Sequence, residues 1–463
     1  MGVRIRIAIG ASQRAILGIA LPAMLTNVAT ALFGLADTWV IGRLGDAAAQ
    51  GGVEVGAKLL MTLLVVFNFL RSSTVALTAQ AAGRGEEDAQ AQALARALGV
   101  ALAIGLVVLA AAPAVIPLGL SMFGAGGAVA AQARRYVEIR YWGGLPWLLN
   151  CALAGWLIGR RRVRTVLAVE VGANLIHIAL DVGLVLGAGL GVAGVAAATL
   201  TSETVKLVAL ALAARSGGSA GRLLAAARRA ETWRAAELLA LMRLNGALFG
   251  RTLLLMAATV LLTRAGARQG AVVLATNAIL YQFFMLSALL LDGFESAAQV
   301  LCGEAVGADR RAAFASLTRK ILALAGGVAV AIAIVYALAG PRLAASFSTA
   351  PAVIATVRAH IGWAIAMPLA GFASYVFDGV FIGASWTRAM LATMAVAVAG
   401  FVALLPLTRA LGDDGLWLAF TLFLLLRAAG QAALLPGLTR RSFALSLPFR
   451  GGSLRAAKRG GEL

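Results

Sequence analysis

The sequence has few charged residues and few of the side chains that metal and redox chemistry require. Only 13% of its 463 residues are Asp, Glu, Lys or Arg, about half the share found in soluble domains. The two cysteines, Cys151 and Cys302, lie in apolar runs, and with only two histidines they offer neither a disulfide framework nor a metal-binding spacing. There is no G-x-x-x-x-G-K-[ST] loop and no H-E-x-x-H motif, which argues against an ATP-driven pump and a zinc hydrolase. We therefore expect no enzyme activity, no metal site and no cofactor.

Apolar residues dominate the chain. They make up 61% of it, and the mean hydropathy is +0.90. A spanning helix needs about 20 mostly apolar residues, and because lipid offers no hydrogen bonds to a backbone, helices are the expected spanning elements. The pattern predicts an all-α polytopic membrane protein. Its twelve predicted spans are 16–41, 56–80, 94–118, 135–158, 165–187, 190–213, 238–263, 271–301, 319–340, 352–382, 389–408 and 414–436.

The net charge of +20 comes from cations in the connections between the predicted spans. Arginines are concentrated at 160–164, at 215–234 and, with a lysine, in the tail at 440–459. Short cytoplasmic loops carry the excess of Lys and Arg in membrane proteins, so this placement predicts that both termini are cytoplasmic and that the positive charge does not serve nucleic acid. High Ala, Gly and Arg content indicates a bacterial source, and we expect a monomer in the inner membrane, with no cleavable signal peptide.

The two halves of the chain resemble each other at an offset of 224 residues. Gln80 to Gly83 align with Glu304 to Gly307, and three further glycine or arginine pairs match at the same offset (155 with 379, 164 with 388, 191 with 415). The offset predicts two pseudo-symmetric six-helix lobes of the same orientation, an arrangement typical of transporters that bind substrate between lobes. The predicted division is an N-lobe at 1–214, a basic linker at 215–237, a C-lobe at 238–437 and a basic tail at 438–463.

Ionisable groups inside spans are costly and indicate functional sites. Asn174, His177 and Asp181 share one face of span 5, and Asp37 and Thr199 reach a similar depth on spans 1 and 6. Two facing carboxylates could bind a cation or carry a proton. Structural roles remain open: Asp37 as a helix-end group, Asn174 as a packing hydrogen bonder and His177 as an interhelical contact.

The second half has its own polar residues within predicted spans. Arg251, Asn277, Asp292 and Asp378 are candidates for substrate binding or gating. Arg251 could pair with an acid across the lobes or extend to the surface, and Asp378 could instead be a helix-end group. The Asp292-Gly293 pair in the middle of span 8 suggests a kink or a break there.

Several short motifs resemble the multidrug and toxic compound extrusion (MATE) family, and more narrowly its DinF-like branch. The first lies in span 1, as Leu21 to Asn27, Gly34 to Thr38 and Ile41 to Gly45. Others follow in the family's order, among them Asn174 to Asp181, Gly191 to Gly194, Gly266-Ala267, Ala275 to Asn277, Leu291 to Phe294 and Phe377 to Gly383. Each is weak alone, but their order and spacing along the chain are specific.

The resemblance implies two six-helix lobes, a central cavity and export of small organic compounds, cationic or amphipathic, driven by entry of H⁺ or Na⁺. It also implies a cation site formed by Asp37, His177, Asp181 and Thr199, with Asn174 nearby. His177 departs from the asparagine common in this branch. Because a hard cation prefers oxygen ligands, we expect H⁺ rather than Na⁺ as the coupling ion. The alternative function is a flippase for a lipid-linked oligosaccharide or related lipid, which would need a large cationic cavity.

Overall fold

The protein, described here by a computed structural model, is built from α-helices. The structure covers residues 2–124, 126–216 and 219–444, with side chains except at 2–11, 32, 33, 35 and 345, and the described part contains no β-strand. The predicted tail beyond residue 444 lies outside the described residues. The helices are α1 (Gly2–Gly42), α2 (Ala47–Val65), α3 (Phe69–Arg84), α4 (Glu87–Ala110), α5 (Ala112–Met122), α6 (Gly127–Arg140), α7 (Gly144–Gly159), α8 (Val163–Asp181), α9 (Gly191–Arg215), α10 (Ser219–Arg228), α11 (Ala235–Ala267), α12 (Ala271–Gly307), α13 (Arg311–Ser346), α14 (Pro351–Gly383), α15 (Thr387–Leu407) and α16 (Gly412–Ala444).

Eleven helical segments among the described residues are long and apolar enough to cross a membrane. The remaining predicted crossing, the fourth, consists of α6 and α7 with the 3₁₀ turn Tyr141–Gly143 between them. Pro146 explains the interruption, because its ring would clash with the carbonyl of residue 142 in a continuous helix. The prediction of twelve membrane-crossing segments is therefore confirmed. The second crossing is also interrupted, by the 3₁₀ turn Val66–Asn68 between α2 and α3.

The outer surface of the helices is strongly apolar. Large side chains such as Met61, Leu338 and Leu407 are more than 70% exposed. Exposed apolar area on this scale requires a lipid environment, as the composition predicted.

The helices of the two halves pack in matching pairs. In the first half α3 and α4 pack on α7, α8 packs on α9, and α1 packs on α8. In the second half α12 and α13 pack on α14, α15 packs on α16, and α11 packs on α15. Each second pair is the first pair shifted by the offset found in the sequence. The two halves therefore share their helix packing as well as their sequence pattern, as predicted for two pseudo-symmetric six-helix lobes.

The two halves meet most closely where α3 crosses α12. A Cβ atom on Gly83 would overlap the carbonyl oxygen of Glu304, and one on Gly307 would overlap that of Gln80. Glycine at both positions therefore lets the two backbones touch. Because Gly83 and Gly307 are themselves equivalent by the offset, this crossing is symmetric.

Polar contacts reinforce the crossing at one end of the molecule. Gln80 Nε2 donates to the carbonyl of Gly383 at 2.7 Å and to Ser385 Oγ at 2.9 Å. The guanidinium of Arg161 donates to both carboxylate oxygens of Glu304. The offset relates Gln80 to Glu304 and Arg161 to Ser385. The neutral Gln80–Ser385 contact and the ionic Arg161–Glu304 contact therefore occupy equivalent positions.

We call this side of the molecule the basic end, defined by the connections 84–87, 159–163, 215–235, 307–311 and 383–387. The backbone of the two lobes matches here as well. Arg161 and Ser385 have φ angles of 59° and 60°, and Gly85 and Asp309 have 75° and 54°. Left-handed residues at both equivalent pairs of positions show that the turns as well as the helices are repeated.

The pair Asp292-Gly293 does not break its helix, so of the expected kink or break the break is absent. α12 is helical throughout Ala271–Gly307. A Cβ atom on Gly293 would lie 2.6 Å from the carbonyl oxygen of Ala20 and 2.5 Å from Met24 Cγ. This glycine allows α1 to cross α12 closely, so its role is packing between the lobes.

Replacing Gly83 with alanine should destabilise the protein. The added methyl group would collide with backbone rather than with a movable side chain, and overpacking of a tight contact costs roughly 1–3 kcal/mol. The thermal unfolding midpoint in detergent measures the effect. Gly327→Ala on α13 is the matched control, because a Cβ there meets nothing within 4 Å. Equal midpoints for the two variants would contradict the close crossing.

Candidate functional site

Helices α1 and α8 bring Asp37, His177 and Asp181 together. His177 Nε2 lies 2.5 Å from Asp37 Oδ1 and 2.8 Å from Asp181 Oδ2. The side chains of His177 and Asp181 are fully buried, and that of Asp37 is 15% exposed. We call these three residues the acid–histidine cluster. The sequence placed them at a similar depth, and the structure puts them in direct contact.

Both ring nitrogens of His177 have polar neighbours. Ser202 Oγ donates to the carbonyl of Thr199 at 2.9 Å and lies 3.3 Å from His177 Nδ1. Because the Ser202 hydroxyl proton is directed to that carbonyl, its oxygen can accept a hydrogen bond from Nδ1 when Nδ1 carries a proton. Nε2 then faces two carboxyl groups, which only accept hydrogen bonds when both are ionised. A single Nε2–H faces both carboxyl groups, so the cluster has the capacity to hold a further proton on one of them.

The backbone changes its winding next to the cluster. α8 ends at Asp181 and continues as a π-helical segment, Val182–Gly187. Such segments are rare and occur frequently at functional sites. The buried Tyr136 of α6 lies within electrostatic reach of Asp37 and Asp181, and Arg140 lies next to Tyr136. A phenol and an altered helix are thus close to the carboxyl groups.

The other two predicted residues of the first half are close to the cluster but make no recorded hydrogen bond to it. Thr199 Oγ1 donates to the carbonyl of Val195 at 2.9 Å, and Thr199 contributes through its own carbonyl, which holds Ser202. Asn174 lies one turn from His177, and its buried Nδ2 has no hydrogen-bond partner among the described residues. The sequence analysis missed Ser202, although its spacing of three residues from Thr199 places both on one helix face.

The acid–histidine cluster has the residue types of a metal site but not the donor set of a sodium site. One ligand atom from each of Asp37, His177 and Asp181 falls within 4.8 Å of the others. Hard cations such as Na⁺ select oxygen donors, and here an imidazole nitrogen stands between the two carboxyl groups. The arrangement is better suited to holding protons.

The second half contains a buried ionic network around Asp378, which we call the Asp378 network. Arg427 Nη2 donates to Asp378 Oδ2 at 2.7 Å, and Gln431 Nε2 donates to Oδ1 at 2.6 Å. Arg251 also donates to Oδ2. The Asp378 side chain is only 1% exposed, so it is a buried ion-pair centre rather than a helix-end group.

Asp292 and Glu295 of α12 lie next to this network. Asp292 interacts electrostatically with Arg71 and Arg251, and Glu295 accepts a hydrogen bond from Gln299 at 2.9 Å. Arg71 belongs to the first half of the chain, so charges of both halves meet here. Arg427 and Gln431, four residues apart on α16, are the network members that the sequence analysis did not select.

Asn277 does not belong to this group. Its Nδ2 donates to Asp413 Oδ1 at 2.8 Å, and its Oδ1 accepts from Trp417 Nε1 at 2.7 Å. Both partners lie on α16, and Asn277 is about 22 Å along α12 from Asp292, at ~1.5 Å per residue. The structure therefore separates Asn277 from Arg251, Asp292 and Asp378 and uses it to join two helices.

Asp378→Asn should destabilise the protein strongly. The amide would leave Arg251 and Arg427 buried without a full counter-charge, and breaking a buried pair by removing one partner costs roughly 3–5 kcal/mol. Thermal unfolding in detergent measures the loss. Glu138→Gln on α6 is the control, since the Arg134–Glu138 pair is more than half exposed. A midpoint equal to that of the control would show that the network contributes nothing to stability.

Comparison with known proteins assigns the chain to a family. The MatE family model matches residues 22–183 and again 247–407. The chain is 36% identical to DNA damage-inducible protein F of Escherichia coli (strain K12), over 91% of this chain and 92% of that protein. It is 23% identical to the chloroplastic Protein DETOXIFICATION 44 of Arabidopsis thaliana, over 92% and 82% of the two chains.

A solved structure shares the fold. It is described as the outward-facing conformation of a multidrug resistance MATE family transporter, and it superposes with a TM-score of 0.83 at 19% identity, over 94% of this chain and 97% of that one. The resemblance found in the sequence motifs is thereby confirmed, including the DinF-like branch. The chain belongs to the MatE family of multidrug efflux transporters, and it is a multi-pass membrane transporter rather than an enzyme.

Proposed function

We propose that the protein is a proton-coupled antiporter that exports small organic compounds, cationic or amphipathic, by alternating access between its two lobes. The acid–histidine cluster carries this proposal. In this cluster the carboxyl groups of Asp37 and Asp181 both contact Nε2 of the His177 imidazole, in the interior between α1 and α8. Ionisable groups at such depth are expensive and are kept for a function, and groups that share protons at hydrogen-bond distance can take up and release one.

The proposed cycle depends on protonation and deprotonation of the acid–histidine cluster. Substrate binds from the cytoplasm between the lobes while a carboxyl group of Asp37 or Asp181 is ionised. A proton from outside then binds that carboxylate, and its contact with His177 Nε2 changes. Coupling requires that proton and substrate favour different arrangements of the lobes. Pro22 inside α1 gives this helix a site at which it can bend. Substrate leaves outward, and the proton is released inward.

The orientation follows from charge. The basic end carries Arg160, Arg161 and Arg162 in one connection and five arginines in the segment 215–234. We assign this end to the cytoplasm by the positive-inside rule, which places both termini inside, in a bacterial inner membrane. We keep the proposed division at 1–214, 215–237, 238–437 and 438–463, and the proposal that the transporter acts as a monomer with no cofactor besides its coupling ion.

A lipid flippase would need unpaired positive charge for a phosphate headgroup. The cations at the Asp378 network instead face acids: Arg251 and Arg427 bind Asp378, and Arg71 of the first half lies near Asp292. This pairing favours an organic cation or amphipathic compound over an anionic headgroup as the substrate.

Asp37→Asn should abolish export driven by a pH gradient, because the amide cannot carry a proton. The measurement is efflux of a fluorescent organic cation in everted membrane vesicles, with an imposed pH gradient tested against a sodium gradient. Glu138→Gln, an exposed change, is the control. Full pH-driven efflux by Asp37→Asn would refute the role of this residue. Wild-type efflux driven by sodium alone would refute proton coupling, and no efflux under either gradient would favour the flippase.

His177→Asn should introduce a response to sodium. The amide offers an oxygen to Na⁺ and removes the imidazole from between Asp37 and Asp181. We expect pH-driven efflux to fall while sodium-driven efflux appears in the same vesicles. His360→Asn is the control, since that residue lies on α14 in the other half. Unchanged pH-driven efflux without a sodium response would show that His177 only packs.

A further inference from the structure

A second cluster of charged groups lies deeper in the same lobe. Lys206 Nζ on α9 lies 2.8 Å from Glu170 Oε2 on α8 and 4.0 Å from Glu203 Oε1. The three side chains are only 10–16% exposed. We call them the inner cluster. Their positions within spans 5 and 6 were visible in the sequence, but they belong to none of the sites discussed so far.

The inner cluster is in line with the acid–histidine cluster. On α8, Glu170, Asn174, His177 and Asp181 are spaced by four, three and four residues, which puts them on one face. On α1, Thr30 donates to Glu170 Oε1 at 3.4 Å, seven residues before Asp37 contacts His177. Glu170 and His177 are also seven residues apart, so α1 and α8 run side by side from one cluster to the other.

α9 continues the same polar stripe. Thr199, Ser202 and Lys206 are spaced by three and four residues on one face, and Glu203 adjoins Ser202. Ser202 contacts His177, whereas Lys206 contacts Glu170. Two helices therefore connect both clusters through polar side chains alone.

Every helix that packs around the inner cluster contributes polar groups. α7 supplies Asn150, whose Nδ2 donates to Glu203 Oε2 at 2.9 Å, and the buried thiol of Cys151. α3 supplies Arg71, which together with Lys206, Glu203 and Glu170 lies within electrostatic reach of Cys151. α1 supplies Thr30, and α6 supplies Tyr136 at the other cluster. Within the cluster itself, two carboxyl groups face one ammonium group.

This composition differs from that of a structural ion pair. One lysine and one glutamate would suffice to join α8 to α9, and the extra carboxyl group adds a cost inside a membrane protein. Between the clusters, Asn174 has a buried Nδ2 without a partner among the described residues. The gap from Glu170 to His177 is ~10 Å along the helix, too long for a direct hydrogen bond, so proton transfer between the clusters would require an intervening water.

We propose that Glu170 and Glu203, held by Lys206, form the inner relay that receives the coupling proton from the acid–histidine cluster and passes it to the cytoplasm. The step is a plain proton transfer: the carboxyl group of Asp37 or Asp181 loses the proton, and the carboxylate of Glu170 or Glu203 gains it. Lys206 is the positioning residue that keeps the receiving group at the right place. This inference rests on the proposed proton coupling.

The test separates proton movement from substrate binding. The protein is reconstituted in liposomes, and two rates are measured with one fluorescent organic cation: transport driven by a pH gradient, and exchange of substrate at equal pH on both sides. Exchange needs no net proton transfer. We expect Glu170→Gln and Glu203→Gln to lose pH-driven transport by about 10²-fold or more, the usual effect of removing a positioned proton-transfer group, while exchange persists. Glu170→Asp should restore part of the loss, and Glu138→Gln should behave as wild type.

Three outcomes would count against the relay. The relay would be overturned if Glu170→Gln, Glu203→Gln and the double variant all transported substrate under a pH gradient at the wild-type rate. Loss of exchange in parallel with pH-driven transport, without recovery in Glu170→Asp, would mean that the inner cluster is structural. In both of these cases the wild-type protein still responds to pH, so proton coupling stands. A wild-type protein that ignores the pH gradient would instead remove the proposed function, and the relay with it.

Discussion

The cost of an uncompensated charge inside lipid is the constraint on which this structure depends. The chain has only 60 residues of Asp, Glu, Lys and Arg, and the buried ion pairs described above lie in three groups: the acid–histidine cluster, the inner cluster and the Asp378 network. Each group combines acids with bases from different helices, so that each charge finds a counter-charge or a hydrogen-bond donor. The charges in turn fix which helices must be neighbours, and the apolar remainder of each helix is free to face lipid.

Much of the fold could be predicted because its signals are local or periodic. Apolar windows located the spans, and the offset of 224 residues predicted packing that the structure repeats pair by pair. The interruption of the fourth span escaped the prediction, because a hydropathy window averages across a single proline. Gly293 was misread for a related reason: a mid-helix glycine suggests a break, and only the contact with α1 shows that it allows a crossing.

The site was predictable in part. Asp37, His177 and Asp181 stood out as ionisable residues in apolar segments, and their helical spacing was enough to bring them together. Ser202 and the inner cluster were missed, because a hydroxyl or a Glu–Lys pair on a helix is common and only three-dimensional contacts show that α1, α8 and α9 share one polar stripe. Asn277 shows the opposite error, since a polar residue within a span proved to be satisfied by Asp413 and Trp417.

The two lobes share a scaffold but not their chemistry, and this difference bears on where coupling occurs. By the repeat offset, Asp37, His177 and Asp181 correspond to Leu261, Phe401 and Leu405, which belong to or pack against the apolar core of the second half. Glu203 of the inner cluster corresponds to Arg427 of the Asp378 network. Positions that form an acid-rich stripe in the first lobe are thus equivalent to an apolar core and to part of the Asp378 network in the second lobe. Under the proposed proton coupling, a proton that binds the first lobe would change the charge of that lobe alone, and the glycine crossing of α3 and α12 is where the two lobes would move against each other.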